Sequence, residues 1–338
     1  MKNFMLGLAA AAFATVAATG AALADGHAKA KPALVYDLGG KNDKSFNESA
    51  YTGAERFKSE TGIDYKDFEI QNDAQREQAM RRFARDGHNP VVVIGFSQAA
   101  ALEKVSQEFP DTKFAIVDMV VEKPNVRSIL FSEHEGSYLV GVMAAKASKS
   151  GKVGFVGGMD IPLIRKFACG YVQGVKSVNP DAEVFQNMTG TTGAAWNDPV
   201  KGGELAKSQI DRGADVVYHA AGGTGIGVLQ AAADAGALGI GVDSNQNGMH
   251  PGKVLTSMLK RVDNAVYDAF KDVQDGDWSA GFDVKGLKEE GVGYAMDDNN
   301  KPLVSDEMLQ AVEAAAADIK SGKVTVHNYM SDSNCPAG

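Results

Sequence analysis

Short apolar segments alternate with longer amphipathic segments along most of this 338-residue chain. The short segments are continuous runs of Val, Ile, Ala and Phe, which are typical of strands buried on both faces of a parallel sheet. We predict such strands at residues 33–36, 90–94, 114–117, 126–131, 153–156, 182–185, 215–219, 240–242 and 254–258. Helices are predicted between them at residues 45–59, 74–85, 99–109, 135–149, 162–178, 197–212, 225–235 and 262–273. The alternation therefore indicates βαβ units and an α/β fold.

The alternation falls into two sets, the first ending near residue 131 and the second running from about residue 135 to residue 258. A chain of this length exceeds what one hydrophobic core usually supports, so two lobes are expected. We predict two doubly wound parallel-sheet lobes joined by hinge strands, because no low-complexity linker separates the sets. The predicted lobes are residues 32–132 plus about 261–280, and residues 133–260 plus about 281–330. A last helix pair and short strands at residues 282–284, 292–294 and 324–328 complete the chain.

The amino terminus has the pattern of a cleavable export signal. Lys2 precedes an alanine-rich apolar run over residues 4–16, and an Ala-Leu-Ala cleavage motif ends at Ala24. A membrane anchor is the alternative, but Thr15 and Gly20 interrupt the stretch, which lacks the roughly 20 apolar residues that a span needs. No cysteine lies at the cleavage point. We therefore expect cleavage near Ala24 and release into the periplasm without a lipid anchor.

Charge and cysteine content narrow the partners further. The formal net charge is −9, so the protein repels nucleic acid and anionic lipid rather than binding them. Its two cysteines, Cys169 and Cys335, have no metal-ligand spacing. In an oxidising compartment they could form a disulfide that ties the C-terminal tail to the second lobe. The alternative is two separate thiols, with Cys169 buried in a helix.

Charged residues follow four predicted strands at the point where each strand ends. Asp37, Asp118 and Asp243 each follow a buried strand, and Lys260 follows the strand at residues 254–258. In open α/β sheets ligands bind outside the carboxyl ends of the strands, so these side chains are expected to converge on a cleft between the lobes. Carboxylates suit hydroxyl and ring N–H donors, and a lysine can hold such carboxylates or donate to a hydroxyl. A single strand-end aspartate is also a common turn former.

The loop after the first strand contributes three further candidates, Asp43, Phe46 and Asn47. It matches no phosphate-binding motif, and its carboxylates argue against an anionic ligand. The alternative is structural, with Asp43 capping the next helix and Phe46 packing inside. Trp196 lies at a second loop-to-helix junction, where it and Phe46 could sandwich a flat base from opposite lobes. Equally, Trp196 could be a hydrophobic staple that fixes the start of its helix.

A glycine-rich turn at residues 222–227 follows a strand and opens a helix. It reads GxGxG, whereas a dinucleotide site needs GxGxxG. Its backbone N–H groups can still hold a neutral ligand oxygen. The motifs GxSxG, HExxH and CxxC are absent from the sequence, and the six histidines are scattered. We therefore assign no catalytic residue, no metal site and no cofactor.

At these residues the chain resembles the basic membrane protein family of solute-binding proteins, which includes the purine-nucleoside receptors of ABC importers. The resemblance extends over essentially the whole chain after the export signal. It rests on the strands ending in aspartate, on the segments 43–47 and 222–225, and on the segment 259–261. The combination of these pieces in this order is specific, although each alone is not. It implies a periplasmic-binding-protein type I fold.

The resemblance also implies roles for the candidate residues. Three would address the base of a nucleoside: Asp37, Asn47 and Asp118. Three would hold its ribose: Gly222, Asp243 and Lys260. Phe46 would stack on one face of the base and Trp196 on the other. Leu38 departs from the pattern, because nucleoside-binding members can carry a polar residue after the strand-end aspartate.

These features favour a monomeric binding protein that delivers a purine nucleoside to the permease subunits of an ABC importer. Another flat heterocycle, such as a flavin, is an alternative ligand, because the resembled family includes members that bind such heterocycles, and Leu38 leaves the choice of base open. A periplasmic enzyme that cleaves nucleosides is an alternative from a different class. Its carboxylates would activate water, but the acids of this chain stand singly at strand ends. A sensor that serves a receptor would need the same cleft.

Overall fold

The structure, a computed structural model, describes Met1 and residues 30–337. Apart from Met1, the predicted export signal at residues 1–24 lies outside the described residues. The described part of the chain forms two six-stranded sheets with helices packed on them. The predicted pair of doubly wound α/β lobes is therefore confirmed. No helix in this part of the chain is long and apolar enough to cross a membrane.

Strands and helices alternate in chain order, as the sequence predicts. The strands are β1 (Ala33–Tyr36), β2 (Lys66–Glu69), β3 (Val91–Ile94), β4 (Phe114–Val117), β5 (Val126–Phe131), β6 (Lys152–Met159), β7 (Glu183–Gly190), β8 (Val216–Ala220), β9 (Leu238–Asp243), β10 (Val254–Lys260), β11 (Gly281–Lys285) and β12 (Val292–Tyr294). The α-helices are α1 (Phe46–Thr61), α2 (Gln75–Arg85), α3 (Ala99–Glu108), α4 (Glu133–Ala147), α5 (Pro162–Val178), α6 (Pro199–Asp211), α7 (Gly225–Asp234), α8 (Val262–Asp275) and α9 (Asp306–Lys320).

Both sheets have the same winding order. The first sheet runs β11-β5-β4-β3-β1-β2 with all neighbours parallel. The second runs β12-β10-β9-β8-β6-β7, in which only the edge strand β12 is antiparallel among the described strands. The strand order reverses beside β1 in the first lobe and beside β6 in the second, because the strands that follow each of them lie on its two opposite sides. Because ligands bind at the carboxyl ends of strands at such a switch point, each lobe offers half of a site.

The central strands explain the continuous apolar runs in the sequence. Every residue of β1, β3 and β4 is buried, and so is every residue of β8. Helices cover both faces of each sheet, so neither face of these strands meets water. This burial on two faces is what distinguishes parallel sheets from half-exposed antiparallel ones.

The chain crosses between the lobes three times, after β5, after β10 and after β11. The third crossing corrects the predicted lobe boundary near residue 280. Strand β11 pairs with β5 of the first sheet over residues 281–285, although we expected these residues in the second lobe. The first lobe therefore completes its edge before the chain returns to the second lobe at β12.

The secondary structure differs from the prediction at one predicted strand and at one strand that was not predicted. Residues 324–328 form no strand, and instead the backbone of His327 exchanges two hydrogen bonds with the side chain of Gln173. Strand β2 was not predicted, because its polar sequence at the edge of the sheet lacks the apolar run of a buried strand.

The C-terminal tail is also held covalently, since Cys169 on α5 and Cys335 form a disulfide. Of the two alternatives left by the sequence, the structure thus has the bonded pair.

Candidate functional site

A cavity lies between the lobes, where the carboxyl ends of the two sheets face each other. Its walls come from the ends of β1, β4, β9 and β10 and from the starts of α1 and α5. All nine residues predicted as ligand-binding line this cavity: Asp37, Asp43, Phe46, Asn47, Asp118, Trp196, Gly222, Asp243 and Lys260.

Asp37 is held by partners that the sequence did not reveal. Its Oδ1 accepts a hydrogen bond from Arg76 Nη1 at 2.8 Å, and its Oδ2 accepts one from Ser97 Oγ at 2.6 Å. Arg76 is buried, so this ion pair is shielded from solvent. The carboxylate is thereby fixed at the end of β1 with only part of its hydrogen-bonding capacity used.

Asp43 caps α1, which is the structural role that the sequence left open. Its carboxylate accepts from the backbone N–H groups of Ser45, Asn47 and Glu48 at 2.9–3.0 Å. It also accepts from Asn47 Nδ2 at 3.2 Å, while Asn47 Oδ1 accepts from the backbone N–H of Asp37 at 3.0 Å. Burial raises the pKa of Asp43. Through Asn47, this cap fixes the first turn of α1 against the end of β1.

A buried ionic cluster closes one end of the cavity. Lys260 Nζ lies 2.6 Å from Asp118 Oδ2 and 2.9 Å from Glu133 Oε1, and Lys166 Nζ lies 2.5 Å from Glu133 Oε2. Lys166 Nζ also donates to the carbonyl oxygen of Phe131 at 2.8 Å. The cluster thus links Asp118 of the first lobe to the second lobe. Glu133 and Lys260 in this cluster lie next to the first and second crossings of the chain.

The protonation states of this cluster follow from burial and pairing. Burial alone would raise the pKa of Glu133, but Lys166 and Lys260 lower it to about 2. Burial would lower the pKa of Lys260, yet Asp118 and Glu133 raise it above its ordinary value. For Asp118 burial prevails and raises the pKa, although Lys260 opposes this. Asp118 Oδ1 is buried and has no hydrogen-bond partner among the described residues.

Asp243 lies at the contact between the lobes. Its Oδ2 accepts a hydrogen bond from Ser45 Oγ at 2.5 Å, and Ser45 belongs to the loop before α1 in the first lobe. Burial raises the pKa of Asp243 to about 7, although Lys260 and the Ser45 hydroxyl lower it in part. Nearby, Ser244 Oγ donates to the carbonyl oxygen of Ser45 at 3.0 Å. These contacts show the lobes in a closed arrangement.

The two aromatic walls come from opposite lobes. Phe46 starts α1, and the Nζ of Lys260 lies 4.9 Å from its ring centre. Trp196 packs against Gly158 on β6, where a Cβ atom would lie 2.2 Å from Cζ3 of the indole. Glycine at residue 158 is therefore required for the position of this ring. Gly222 lies beside Trp196, since a Cβ atom added there would be 3.4 Å from the carbonyl oxygen of Trp196, and its φ is left-handed at 55°.

Three residues at the cleft have left-handed backbones, which are unfavourable for residues with a side chain. Their φ angles are 61° for Lys44, 73° for Asp118 and 62° for Asp243. Such conformations persist where surrounding contacts determine them and often occur at functional sites. Here they turn the chain at the strand ends so that two carboxylates reach the cavity.

Sequence reasoning missed the residues that support the site. Glu133 lies just before the helix predicted at residues 135–149 and reads as an ordinary acid near a helix start, and Lys166 reads as a solvated mid-helix lysine. Leu163, Ile164 and Phe167 line the cavity from α5, yet their spacing is that of any core-facing helix. Among residues 30–337, no group of three or more His, Cys, Asp or Glu side chains could hold a metal ion.

Comparison with known proteins gives consistent matches over nearly the whole chain. A family model described as ABC transporter substrate-binding protein, PnrA-like, matches residues 30–328. The ABC transporter nucleoside-binding protein BmpA of Lactococcus lactis subsp. cremoris is 34% identical over 322 residues, with 88% of each chain covered. An uncharacterized lipoprotein of Pyrococcus abyssi is 37% identical over 282 residues, covering 79% of this chain and 69% of that protein.

The solved structures give the same result for the fold. A solute-binding protein of an ABC transporter system from Aeropyrum pernix K1 superposes with a TM-score of 0.80 at 31% identity. The match covers 88% of this chain and 92% of that one. The predicted periplasmic-binding-protein type I fold is therefore confirmed.

Proposed function

Because the chain belongs to the PnrA-like family of ABC transporter substrate-binding proteins, as its sequence resemblance indicated, we propose that it captures a purine nucleoside and delivers it to a membrane permease. The relative from Lactococcus lactis, which is named a nucleoside-binding protein, supports this ligand class. The family consists of substrate-binding proteins, so the protein is proposed to release its ligand unchanged.

The observation that carries the proposal is the buried, unpartnered Oδ1 of Asp118 in the cavity wall. A buried acceptor without a donor costs roughly 1–3 kcal/mol, which a ligand N–H or O–H group would recover. In the proposed complex Asp37, Asn47 and Asp118 face the base. The base stacks between Phe46 and Trp196, which lie on opposite lobes.

The ribose is proposed to lie at the other polar end of the cavity. Asp243 would accept from ribose hydroxyls, Lys260 would donate to them, and the turn at Gly222 would approach the sugar through its backbone. Asp43 supports the site indirectly, because the cap of α1 uses both of its carboxylate oxygens.

We propose that the protein works as an exported monomer in the periplasm, cleaved near Ala24 and not anchored to the membrane. The Pyrococcus abyssi relative is named a lipoprotein, so the anchoring of this chain needs its own test. Mass spectrometry of the exported protein, osmotic-shock fractionation and sedimentation analysis would determine cleavage, location and oligomeric state. A lipid adduct or a membrane-bound fraction would contradict the unanchored form.

Thermal unfolding in the presence of candidate ligands tests the ligand class. A ligand at 100 times its Kd should stabilise the protein by about 2.7 kcal/mol, so purine nucleosides should raise Tm by several degrees. Free bases and sugars should have smaller effects. Indifference to all nucleosides would reject the proposal, and stabilisation by flavins alone would support the flat-heterocycle alternative.

The two tryptophans provide a matched pair of variants. Trp196 lines the cavity. Trp278 lies in the first lobe, where the centre of its ring is 5.5 Å from Cζ of Arg127. Trp196→Ala should abolish nucleoside stabilisation, and Trp278→Ala should retain it. Incubating the wild-type protein with inosine and assaying for free hypoxanthine tests the enzymatic alternative, because turnover would release the base.

A further inference from the structure

The loop after β9 binds the loop before α1 through contacts that do not involve the cavity wall. Gln246 Nε2 donates to the carbonyl oxygen of Lys44 at 2.9 Å, and Ser244 Oγ donates to that of Ser45. Neither Gln246 nor Ser244 is among the described residues that line the cavity. We infer that Gln246 is a positioning residue, which holds the lobes closed and so slows ligand release without touching the ligand. This inference rests on the proposed binding function.

Gln246 is anchored within the second lobe by three hydrogen bonds. Its Oε1 accepts from the backbone N–H of Val242 at 2.8 Å and lies 2.9 Å from Nε2 of His219. Its own backbone N–H donates to Ser257 Oγ at 2.9 Å. The side chain is therefore tied to β8 and β9, and the backbone of the same residue to β10, before the side chain reaches the first lobe.

These anchors fix the orientation of the Gln246 amide. A backbone N–H can only donate, so the atom that faces Val242 must be the amide oxygen. The NH₂ group is then left to face the carbonyl oxygen of Lys44. The same argument places a proton on Nε2 of His219, since that nitrogen also faces the amide oxygen. Burial lowers the pKa of His219 to about 4, so the ring is neutral near pH 7.

Two glycines provide the space that this arrangement needs. A Cβ atom at Gly241 would lie 2.6 Å from Gln246 Oε1, and one at Gly225 would lie 1.9 Å from His219 Cε1. Gln246 itself is 2% exposed. On the other side of the contact, Lys44 has the left-handed φ of 61° described above. The contact between the lobes thus depends on glycine in the second lobe and on a left-handed backbone at Lys44 in the first.

Ligand dissociation rates test the inference, measured by stopped-flow fluorescence with a purine nucleoside. Gln246→Ala should release the nucleoside about three- to tenfold faster, because one direct hydrogen bond between the lobes is lost, while association changes little. Ser244→Ala removes the weaker neighbouring contact, keeps Gln246 in place, and should speed release about two- to threefold. Equal release rates in all three proteins would overturn the inference.

Gln209 provides a matched control for the loss of a buried amide. It is 1% exposed in the same lobe, and its Nε2 donates to the carbonyl oxygen of Phe155 and to Asn187 Oδ1, both within that lobe. Gln209→Ala should lower Tm as Gln246→Ala does, but should leave the release rate unchanged. If both variants release ligand equally fast, the effect is one of fold stability and the positioning role is wrong.

The distance between the lobes gives a readout that does not depend on the nucleoside. Spin labels on Ser59→Cys and Ser208→Cys, both at exposed positions on α1 and α6, report closure by pulsed electron resonance. Gln246→Ala should shift the distance distribution toward larger values, and Gln209→Ala should not. If no nucleoside binds the wild-type protein, the proposed function fails, whereas an unchanged distribution in Gln246→Ala overturns this inference.

Discussion

Asp243 ends β9 with a buried carboxyl group, a left-handed backbone and a hydrogen bond from the Ser45 hydroxyl of the other lobe. Burial raises its pKa to about 7, so the folded protein holds a proton that the unfolded chain releases near pH 4. Between these values the folded state binds more protons, and stability must fall as pH rises. The loss of folding stability from Asp243 is complete above about pH 7, where its carboxyl group is ionised in both the folded and the unfolded state. In the ligand-free protein Asp243 therefore lowers the stability of the fold at neutral pH, a cost that agrees with the ligand-binding role proposed for it.

Asp243→Asn should remove this pH dependence from the ligand-free protein. The amide oxygen can still accept from Ser45, and no charge is buried at high pH. At pH 8 the variant should be more stable than the wild type by an amount on the order of 3 kcal/mol, and the decline between pH 4 and 7 should flatten. Urea unfolding across this pH range measures both effects, and nucleoside affinity should fall.

Asp181→Asn, at an exposed position, is the control for the loss of one negative charge. It should leave the pH profile as in the wild type. A profile that is the same in Asp243→Asn and in the wild type would show that Asp243 is already ionised in the folded protein at low pH.

At the residue scale, the sequence was sufficient to identify residues that line the cavity, but not the buried residues that hold them in place. Strand ends in a parallel sheet converge by geometry, so Asp37, Asp118 and Asp243 could be grouped from the pattern of strands alone. Glu133 and Lys166 are buried in an ionic cluster in which Lys260 joins Glu133 to Asp118 of the other lobe. That meeting depends on the packing of the two lobes, which no local pattern in the sequence encodes.

At the scale of elements, α1 depends on Asp43 for its first turn. The carboxylate satisfies three backbone N–H groups that have no partner within the helix, and it holds Asn47 against β1. Asp43→Ala should therefore lower the free energy of unfolding by about 1–2 kcal/mol and also weaken nucleoside binding, because Phe46 and Asn47 lie in that turn. Chemical denaturation and calorimetric titration measure the two effects.

Ser305 is the matched control for this prediction. It caps α9 by accepting from the N–H of Met308 at 3.2 Å, and it is exposed and outside the described cavity lining. Ser305→Ala should lower stability by about 1 kcal/mol with unchanged affinity. If Asp43→Ala behaves in the same way, the cap of α1 does not position the site.

Elements also show where local sequence signals fail. Strand β2 is polar because it lies at the sheet edge, so it has no apolar run to identify it. Residues 324–328 have an apolar pattern but do not pair with a strand; the backbone of His327 bonds instead to the side chain of Gln173, and the N–H of Val324 donates to the carbonyl oxygen of Asp318. Strand β11 was assigned to the wrong lobe, since its partner β5 lies about 150 residues earlier in the chain. Long-range pairing decided each of these cases.

At the scale of the whole molecule, the disulfide between Cys169 and Cys335 closes a segment of 166 residues that contains most of the second lobe. A cross-link over so long a segment restricts the unfolded chain, and its loss should cost about 3–5 kcal/mol. The double variant Cys169→Ala with Cys335→Ser should therefore have a lower Tm than the wild type. Nucleoside affinity should change little, because Lys166 still holds α5 to Glu133. Equal Tm values for the wild type with and without reducing agent would contradict a stabilising role.

The charge balance around the closed cavity disfavours anionic ligands. Five acidic side chains lie in or beside the cavity: Asp37, Asp43, Asp118, Glu133 and Asp243. Three basic side chains accompany them, and each is already in an ion pair: Arg76, Lys166 and Lys260. A phosphate group would bring about −1.5 to −2 further charges into this closed space. It would lose its hydration and find no cation that is not already paired among the described residues of the site.

A nucleoside 5′-monophosphate should therefore bind at least about 100-fold more weakly than its nucleoside, which corresponds to about 3 kcal/mol. Calorimetric titration with inosine and inosine 5′-monophosphate at the same pH and salt concentration measures the difference. The 5′-O-methyl nucleoside is the neutral control, since it adds bulk at the same oxygen without charge. If the methyl ether binds as weakly as the monophosphate, space rather than charge excludes the phosphate. If the monophosphate binds within tenfold of inosine, the cavity holds a cation for it, and the pairing of Lys260 with Asp118 and Glu133 must open when ligand enters.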